Sequence, residues 1–318
     1  MILGLAIVFF GWYTIGMPGR AFKGSAPPLT AEEIALERGL ARHVEALARE
    51  IGERNLDNYE ALQGAARYVK ETLGGLGYKV QSQTFAARGQ QVENLEAQLD
   101  GTVLPREIVV VGAHYDSAQG TPGANDNGSG VAALFELARM FAKRSPPRTV
   151  RFVAFVNEEP PYFQTEDMGS LHYARRCEER GEQVVAMLSL ETIGFYSDQP
   201  GSQRYPFPLS LFYPDTGNFI GVVGNVASRS LVHRVVRTFR EQVKFPTEGA
   251  AAPGFVPGIG WSDHWAFWQA GFEAVMITDT APFRYPHYHA ADDLPDKIDY
   301  ARTARVVAGL AQVVAELA

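Results

Sequence analysis

The sequence predicts an α/β fold, a three-layer sandwich in which a mixed, mainly parallel central sheet is flanked by helices. From residue 78 onward, segments with the composition of strands alternate with segments whose apolar residues recur at helical spacing. Such alternation is typical of strand–helix–strand units. The run IVVVGA, residues 108–113, is apolar without interruption, as expected of a strand that helices cover on both faces. Because strand and helix patterns continue without an internal repeat or a boundary, we predict one domain over residues 30–318.

The predicted domain opens with two helices, residues 30–52 and 58–77, whose apolar residues are spaced by three and four. Thr30 and Glu33 form a capping box at the start of the first helix. Strands are then expected over residues 78–87, 92–101, 107–116, 149–159, 184–196, 218–225 and 273–279, and helices over residues 131–143, 171–180 and 228–243 and from Tyr300 onward. Two segments rich in Gly and Pro, residues 197–208 and 247–260, are too long for simple connections. Long ordered loops of this kind often shape binding sites.

The N-terminal segment, residues 1–17, is an uncharged apolar run. Its length fits a signal-peptide core or a short membrane anchor, and residues 18–29 then form a linker. We therefore expect an exported protein, periplasmic or extracellular, that associates with the membrane through this segment if the segment is retained. One observation opposes export, since no Lys or Arg precedes the run, whereas Arg20 and Lys23 follow it. The alternative, a buried N-terminal helix, fits less well because the run is apolar on every side.

The composition argues against a nucleic-acid site and against a cysteine-based metal site. A net charge of -7 gives no general electrostatic reason to bind the phosphate backbone of nucleic acid, so no nucleic-acid partner is expected. The single cysteine, Cys177, can form no disulfide within the chain and cannot build a cysteine-based zinc site. Any metal must therefore be held by His, Asp and Glu. The sequence gives no signal for an oligomeric state.

Acidic residues and histidines follow several of the predicted strands. In an open α/β sheet, ligands bind beyond the carboxyl ends of the strands. Each residue alone could be a buried His with a partner or a solvated acid, but chance does not readily place them all after apolar runs. So many charged groups cannot be buried together without a cation. The residues are His114 and Asp116, Asp126, Glu158 and Glu159, Glu191, and His287 and His289.

Asp126 lies in the turn GANDNGSG, residues 123–130, just before a predicted helix. Asp is a preferred helix cap, and its charge is favourable at the helix N-terminus. Taken alone, this segment is best interpreted as a cap. Asn127 or Ser129 can serve the helix end instead, which leaves the Asp126 carboxylate free to bind metal.

This set of residues suits a two-metal hydrolase. Imidazole and carboxylate ligands without cysteine fit Zn²⁺, with Mn²⁺ or Co²⁺ as alternatives, and a carboxylate can bridge two ions about 3.5–4 Å apart. A carboxylate that is not a ligand must then accept a proton from the bound water. The adjacent acids of NEE, residues 157–159, can supply both a ligand and this base, because side chains alternate in direction at a strand end.

The sequence resembles the M28 zinc aminopeptidases. The matching stretches are GAHYDS, GANDNGSG, NEE, SLETIG, SDHWAFWQAGFEAVMITD and YHAADDLPDKID, which follow the family's order from about residue 94 onward. The resemblance implies a zinc-peptidase fold, a peptide substrate and two zinc ions. It implies removal of N-terminal residues by a zinc-activated water.

The resemblance also implies the ligands of each ion. His114 and Glu191 would hold one zinc, Glu159 and His289 would hold the other, and Asp126 would bridge the two.

Other matching residues receive supporting roles from the resemblance. Glu158 would be the general base, and Tyr288 would stabilise the oxyanion. Asp116 would orient His114 through the second ring nitrogen, and Asp263 would support the site from behind the ligands. A cis peptide bond is implied after Asp126.

The sequence departs from the family pattern in two places. The family usually has Asp at the position of Glu191, so one extra methylene must be accommodated. The segment after the acid pair is longer than usual and places Tyr162 and Phe163 near the site as walls of a substrate pocket. His287 is an additional histidine that we expect to be a loop residue.

Three alternatives remain at this stage. A glutaminyl cyclase shares the scaffold and uses one zinc, but such enzymes resemble ATDSA and WH where this chain has ANDNGSG and YH. A non-catalytic receptor-like domain would lack ligands that are all present here. Carboxypeptidase or endopeptidase cleavage depends on loop geometry, which the sequence does not show.

Overall fold

The computed structural model describes residue 11 and residues 13–318. Eight strands form its sheet: β1 (Val80–Ala87), β2 (Gln90–Leu99), β3 (Leu104–His114), β4 (Arg148–Phe155), β5 (Gln183–Glu191), β6 (Ile220–Gly224), β7 (Thr247–Ala251) and β8 (Ala274–Thr278). The described helices are α1 (Ala31–Glu45), α2 (Tyr59–Gly75), α3 (Gly130–Phe141), α4 (Gly169–Glu179), α5 (Arg229–Gln242), α6 (His264–Gln269), α7 (Ala281–Arg284) and α8 (Tyr300–Leu317). Shorter helical turns span Ala46–Ile51, Leu56–Asn58, Ala124–Ser129, Leu209–Leu211 and Pro295–Lys297.

The sheet is mixed, with the strand order β1-β2-β4-β3-β5-β8-β6-β7. Strands β4, β3, β5 and β8 run parallel to one another at its centre. Strand β2 pairs antiparallel with β4 on one side, and β6 pairs antiparallel with β8 on the other. The carboxyl ends of the four central strands therefore meet at one edge of the sheet.

Helices cover both faces of this sheet. Alternate residues of β3 separate the two sides, since successive side chains of a strand point in opposite directions. Val109 and Val111 pack into the larger core with α1, α2, α3, α5 and α8, whereas Val110 packs with α4 and α6. All three are fully buried, and each contributes about 1.5–3 kcal/mol by its removal from water. The predicted three-layer sandwich is confirmed.

The structure differs from the predicted elements in several places. The strands predicted over residues 149–159 and 184–196 end at Phe155 and Glu191, so Glu158 and Glu159 lie in the loop after β4. Strand β7 lies inside the segment 247–260, which composition predicted as a loop. Its sequence TEGAA has little strand propensity, but it pairs in parallel with the whole of β6. Helix α6 is only six residues long, too short to produce a helical periodicity in sequence.

The described part of the N-terminal segment and the linker after it pack against the domain. Arg229 on α5 donates a hydrogen bond to the carbonyl of Tyr13 and lies over its ring, and Arg305 on α8 donates to the carbonyl of Pro27. The predicted signal or anchor falls mainly on residues 1–10 and 12, which lie outside the described residues. No helix among the described residues has both the length and the apolar character needed to cross a bilayer.

Candidate metal centre

The predicted ligands meet at the carboxyl edge of the central strands. His114 is the last residue of β3, Glu191 is the last residue of β5, and Glu159 follows β4 closely. Asp126 comes from the turn before α3, and His289 comes from the loop after α7. The fold therefore brings together residues that are far apart in the chain. His114 and His289 are separated by 175 positions.

The five side chains form two groups that could each hold a metal ion. His114, Asp126 and Glu191 make the first, and Asp126, Glu159 and His289 make the second. In the first group, His114 Nε2 lies 3.3 Å from Glu191 Oε2 and 3.4 Å from Asp126 Oδ1. In the second group, His289 Nε2 lies 3.1 Å from Asp126 Oδ2 and 3.1 Å from Glu159 Oε2. The two oxygens of Asp126 thus face different histidines, as a bridging carboxylate requires.

Unpaired polar atoms indicate that these groups fit metal ions. Both ring nitrogens of His114, Asp126 Oδ1 and Glu159 Oε1 are buried, and none has a hydrogen-bond partner within the described chain. A buried polar atom without a partner costs roughly 1–3 kcal/mol. Cations in the two groups would satisfy His114 Nε2 and the carboxylate oxygens together, whereas His114 Nδ1 faces Asp116. The ligands here would be imidazoles and carboxylates with no thiolate, and Zn²⁺ binds to such a set of donors.

The turn that carries Asp126 is fixed by backbone contacts. The Asp293 carboxylate accepts the backbone N–H of Asn125 at 2.8 Å and the N–H of Asp126 at 3.1 Å, and the Asp126–Asn127 peptide bond is cis, as the resemblance implied. Gly123 has φ 63°, and a Cβ there would come within 2.4 Å of the Asp126 carbonyl oxygen. The small residues of this turn therefore allow the chain to fold back tightly beneath the carboxylate.

Asn127 takes the capping role that would otherwise compete for Asp126. Its Oδ1 accepts the N–H of Gly130 at the start of α3 and the N–H of Thr192, and its Nδ2 donates to the carbonyl of Leu190. One side chain thus joins the helix end to the end of β5. Asp126 is left to face the two histidines.

Left-handed backbone conformations occur at or beside three of the functional residues. His289 has φ 53°, Asn157, just before Glu158, has φ 58°, and Thr192, just after Glu191, has φ 46°. This region is costly for a β-branched residue such as Thr. Backbone strain of this kind clusters at functional sites, where the surrounding structure maintains it.

Asp116 and Arg54 support His114 and the loop that follows it. Asp116 Oδ1 lies 3.4 Å from His114 Nδ1, and its two oxygens accept the backbone N–H groups of Glu158 and Glu159. Asp116 therefore holds the backbone of the acid pair and lies next to the His114 ring nitrogen that the resemblance assigned to it.

Arg54 is a fully buried cation that sequence reasoning missed. Its guanidinium donates to the carbonyls of Tyr115, Pro122 and Gly123. Burial lowers the pKa of Arg54 to about 10, while Asp116 and other acids of the site oppose the shift. It remains charged at neutral pH and lies among the acids. No pattern around Arg54 signals this role, because the carbonyls that tie it to the site lie more than 60 residues away.

Ser262 provides the contact that accommodates the longer Glu191 side chain. Its hydroxyl donates to Glu191 Oε2 at 2.7 Å, and its oxygen lies 3.0 Å from the Ser189 hydroxyl. The hydrogen bond holds the Glu191 carboxylate close to His114 although the side chain has one methylene more than the family's usual Asp. Ser262 directly precedes Asp263 in the matched SDH stretch, so the sequence contained a signal for it.

We expect Ser262→Ala to weaken metal binding in the group of His114, Asp126 and Glu191. The loss of a hydrogen bond to a ligand commonly lowers metal affinity by about 10-fold or more. Titration with a competing chelator measures this effect, and Ser189→Ala is the control because Ser189 contacts Ser262 but not Glu191. Equal affinities for Ser262→Ala and wild type would show that the hydrogen bond does not position Glu191.

Glu158 lies beside the ligands but belongs to neither metal group. Its Oε2 is 3.8 Å from His114 Nε2. Burial raises the pKa of the Glu158 carboxyl, His114 opposes the shift, and Glu191, Glu159 and Asp263 add to it. Asp263 is fully buried, and neither of its carboxylate oxygens has a hydrogen-bond partner within the described chain. Burial raises the pKa of Asp263 to about 7.

Tyr288 presents a hydroxyl to the site. Its ring stacks on the ring of His289 with centroids 3.9 Å apart. Burial raises the pKa of Tyr288 well above its ordinary value, and Asp126, Glu159 and other carboxylates raise it further. The phenol therefore stays protonated and can donate a hydrogen bond.

A cavity that is open to solvent lies beside the two metal groups, and its empty volume, solvent at its mouth included, is about 810 Å³. Glu191 and Tyr288 lie on its wall, so the cavity is continuous with the candidate centre. Both long loops contribute to it, with Tyr205 and Pro206 from one and residues 257–259 from the other. These loops therefore shape a site, as their length and composition suggested.

Three other residues considered from sequence lie away from this cavity. Tyr162 has Arg88 over its ring, and Phe163 packs against the core beneath α4 and α6. Neither lines the cavity, so their predicted role as pocket walls does not apply to it. His287 pairs with Asp292 through Nδ1 at 2.7 Å and belongs to neither metal group.

Comparison with known proteins decides the family. The model of peptidase family M28 matches residues 94–314, which is more than half of the chain. The chain belongs to this family. The M28 match includes all five candidate ligands as well as Glu158 and Tyr288.

One curated relative and two solved structures illustrate the similarity. The chain is 38% identical over 295 residues to YfbL of Escherichia coli (strain K12), described as an uncharacterized protein, and the match covers 90% of each chain. The fold is similar to BSAP, a zinc aminopeptidase from Bacillus subtilis, with TM-score 0.71, 16% identity and coverage of 88% of this chain and 94% of that one. It is also similar to a glutaminyl cyclase from Bacteroides thetaiotaomicron, with TM-score 0.66, 17% identity and coverage of 91% and 99%. At these identities the two structures establish the shared fold.

Proposed function

We propose that this M28 peptidase is a zinc-dependent aminopeptidase with two metal ions. The observation that carries the proposal is the geometry of Asp126, whose two oxygens lie 3.4 and 3.1 Å from His114 Nε2 and His289 Nε2. A carboxylate placed in this way can be shared by two ions, and Mn²⁺ or Co²⁺ could replace Zn²⁺ with the same donors. Glu191 and Glu159 complete the two groups.

The side chains around the ligands have the chemistry that peptide hydrolysis requires. When bound, the ions would acidify a water molecule and polarise the scissile carbonyl. Glu158 is close enough to the centre to accept the proton of that water and pass it to the leaving amine. Tyr288 keeps its proton and can donate a hydrogen bond to the carbonyl oxygen as that oxygen gains negative charge.

The cavity supports removal of the N-terminal residue. It is lined by Glu191 and Tyr288, by the sheet and by the two long loops. A side chain that enters it would place the adjacent carbonyl at the metal groups. In an aminopeptidase this side chain would belong to the first residue of the substrate.

Amino-acid amides and N-acetylated counterparts test this proposal. The metal-loaded protein should hydrolyse the free amides, should fail on the acetylated ones, and should lose activity with a chelator. Metal content is measured on the same samples. Equal cleavage of free and acetylated substrates would instead indicate endopeptidase activity, and activity that persists in metal-free protein would contradict the metal mechanism.

Glutaminyl cyclisation is the second candidate, and the similarity to the Bacteroides thetaiotaomicron cyclase favours it. Against it, the residues of both metal groups are complete here. A peptide that begins with Gln distinguishes the two activities. Release of glutamine supports the aminopeptidase, whereas release of ammonia with retention of the blocked peptide supports the cyclase.

A further inference from the structure

Two rows of paired residues on β5, β8, β6 and β7 form the side of the cavity that the sheet provides. In the first row, Glu191 pairs with Thr278, Thr278 with Gly221, and Gly221 with Glu248. In the second row, Met276 pairs with Val223, and Val223 with Ala250. Paired residues of adjacent strands project on the same face. The first row therefore runs from a candidate metal ligand to an acid at the edge of the sheet.

The row places Glu248 well away from the candidate metal ligand at its other end. Three strand spacings of about 4.8 Å separate Glu191 from Glu248, or roughly 14 Å between their backbones. The walls between them are apolar and aromatic: Tyr205, Leu209, Tyr213, Phe219, Trp261 and Phe283. The cavity is thus largely apolar, and Glu248 is the acid that lines it at the end of the row away from Glu191.

An acid in such a cavity would ordinarily favour Lys or Arg, but Glu248 already has a cationic partner. Arg240 Nη2 lies 3.3 Å from Glu248 Oε2. Only 8% of the Arg240 side chain and 24% of the Glu248 side chain are exposed. Burial raises the pKa of the Glu248 carboxyl, whereas Arg240 and, more weakly, Lys23 lower it. A second cation brought into the cavity would meet a carboxylate whose charge is already balanced.

Arg240 is held in place from behind the cavity by backbone carbonyls. Its Nε and Nη2 donate to the carbonyl of Thr247 at 3.1 and 2.7 Å. Its Nη1 donates to the carbonyls of Pro18 and Gly19 at 2.9 and 3.4 Å. The segment after the apolar N-terminal run therefore helps to fix the guanidinium against Glu248. Arg240 itself does not line the cavity.

We propose that Arg240 keeps peptides that begin with Lys or Arg out of this cavity, by pairing with the Glu248 carboxylate that would otherwise attract them. This inference rests on the proposed aminopeptidase function. Arg240 is a positioning residue, because it acts on the substrate through Glu248. A basic side chain of the substrate would be buried in the cavity with no free carboxylate to pair with, and this costs free energy. The aromatic walls favour apolar side chains instead.

The test compares kcat/KM for Phe, Leu, Lys and Arg amides in the wild type, Arg240→Met, Arg240→Lys and Glu248→Gln. Wild type should prefer Phe and Leu. Arg240→Met should raise the ratio of Lys to Phe hydrolysis by roughly 10-fold or more, because the freed carboxylate can make a charged hydrogen bond to the substrate. Arg240→Lys keeps a cation beside Glu248 and should stay closer to wild type. Glu248→Gln, alone or with Arg240→Met, should retain the apolar preference.

The outcomes separate the two proposals. Failure of the metal-loaded wild type to hydrolyse any amide would overturn both. Hydrolysis with Lys or Arg preferred by the wild type, or an unchanged Lys to Phe ratio in folded Arg240→Met, would overturn the selectivity inference and leave the aminopeptidase function standing. Circular dichroism and metal content show whether Arg240→Met is folded. If Arg240→Met does not fold, the Glu248→Gln variant decides. A loss of the preference for Phe and Leu amides in that variant would overturn the inference.

Discussion

Glu158→Gln is expected to abolish most turnover while both metal groups keep their ions. The amide is nearly the same size as the carboxyl but cannot accept a proton from the attacking water. General acid–base catalysis commonly contributes about 10²- to 10⁴-fold, so kcat should fall by that amount with KM changed little. Metal content should match wild type because Glu158 belongs to neither group.

The control for this variant is Glu166→Gln. Glu166 lies in the same connection after β4, but it is exposed and pairs with Arg175. Its replacement should leave kcat and metal content unaltered. Full activity in Glu158→Gln would remove Glu158 as the base, and loss of metal in that variant would mean that its carboxyl acts as a ligand.

Asp126→Asn is expected to remove metal from both groups at once. An amide has one oxygen and an uncharged nitrogen, so it cannot bridge two cations as the carboxylate does. The affinity for each ion should fall by at least about 100-fold, which is the upper range for loss of a ligand's supporting partner. The fold should persist, because the contacts that hold this turn use the backbone N–H groups of Asn125 and Asp126.

Metal content after dialysis and activity with added zinc measure the Asp126→Asn effect. Asp292→Asn is the matched control, because Asp292 is an exposed acid in the loop of His289 and pairs with His287. If Asp126→Asn kept one ion tightly and lost the other, Asp126 would belong to a single group, and the bridging geometry would be wrong.

The sequence predicted the architecture well where burial determines the pattern. The alternation of Val109 and Val110 between the two cores follows from the apolar run of β3. Strand β7 could not be predicted in the same way, because TEGAA is held by its pairing with β6 and its own composition gives no strand signal. Local propensity and tertiary pairing disagree there, and pairing determines the structure.

The candidate ligands were predictable because their polar side chains follow apolar strands. The residues that position them were harder to predict. Arg54 acts through carbonyls of a loop more than 60 residues away, and Asp293 acts on backbone N–H groups about 167 residues away. Ser262 and Asp293 lay within the matched stretches without an assigned role. Arg240 contacts Pro18 at the start of the linker, and no local sequence pattern indicates this contact.

Zinc titration of the metal-free protein tests the two-ion account most directly. Hydrolysis of a Phe or Leu amide should be absent without metal, and activity should rise with added zinc and reach its plateau at two ions per chain. Asp126→Asn should show no such plateau over the same range of zinc concentrations. Full activity at one ion per chain, or activity that does not depend on zinc or a substitute metal, would contradict the two-ion centre.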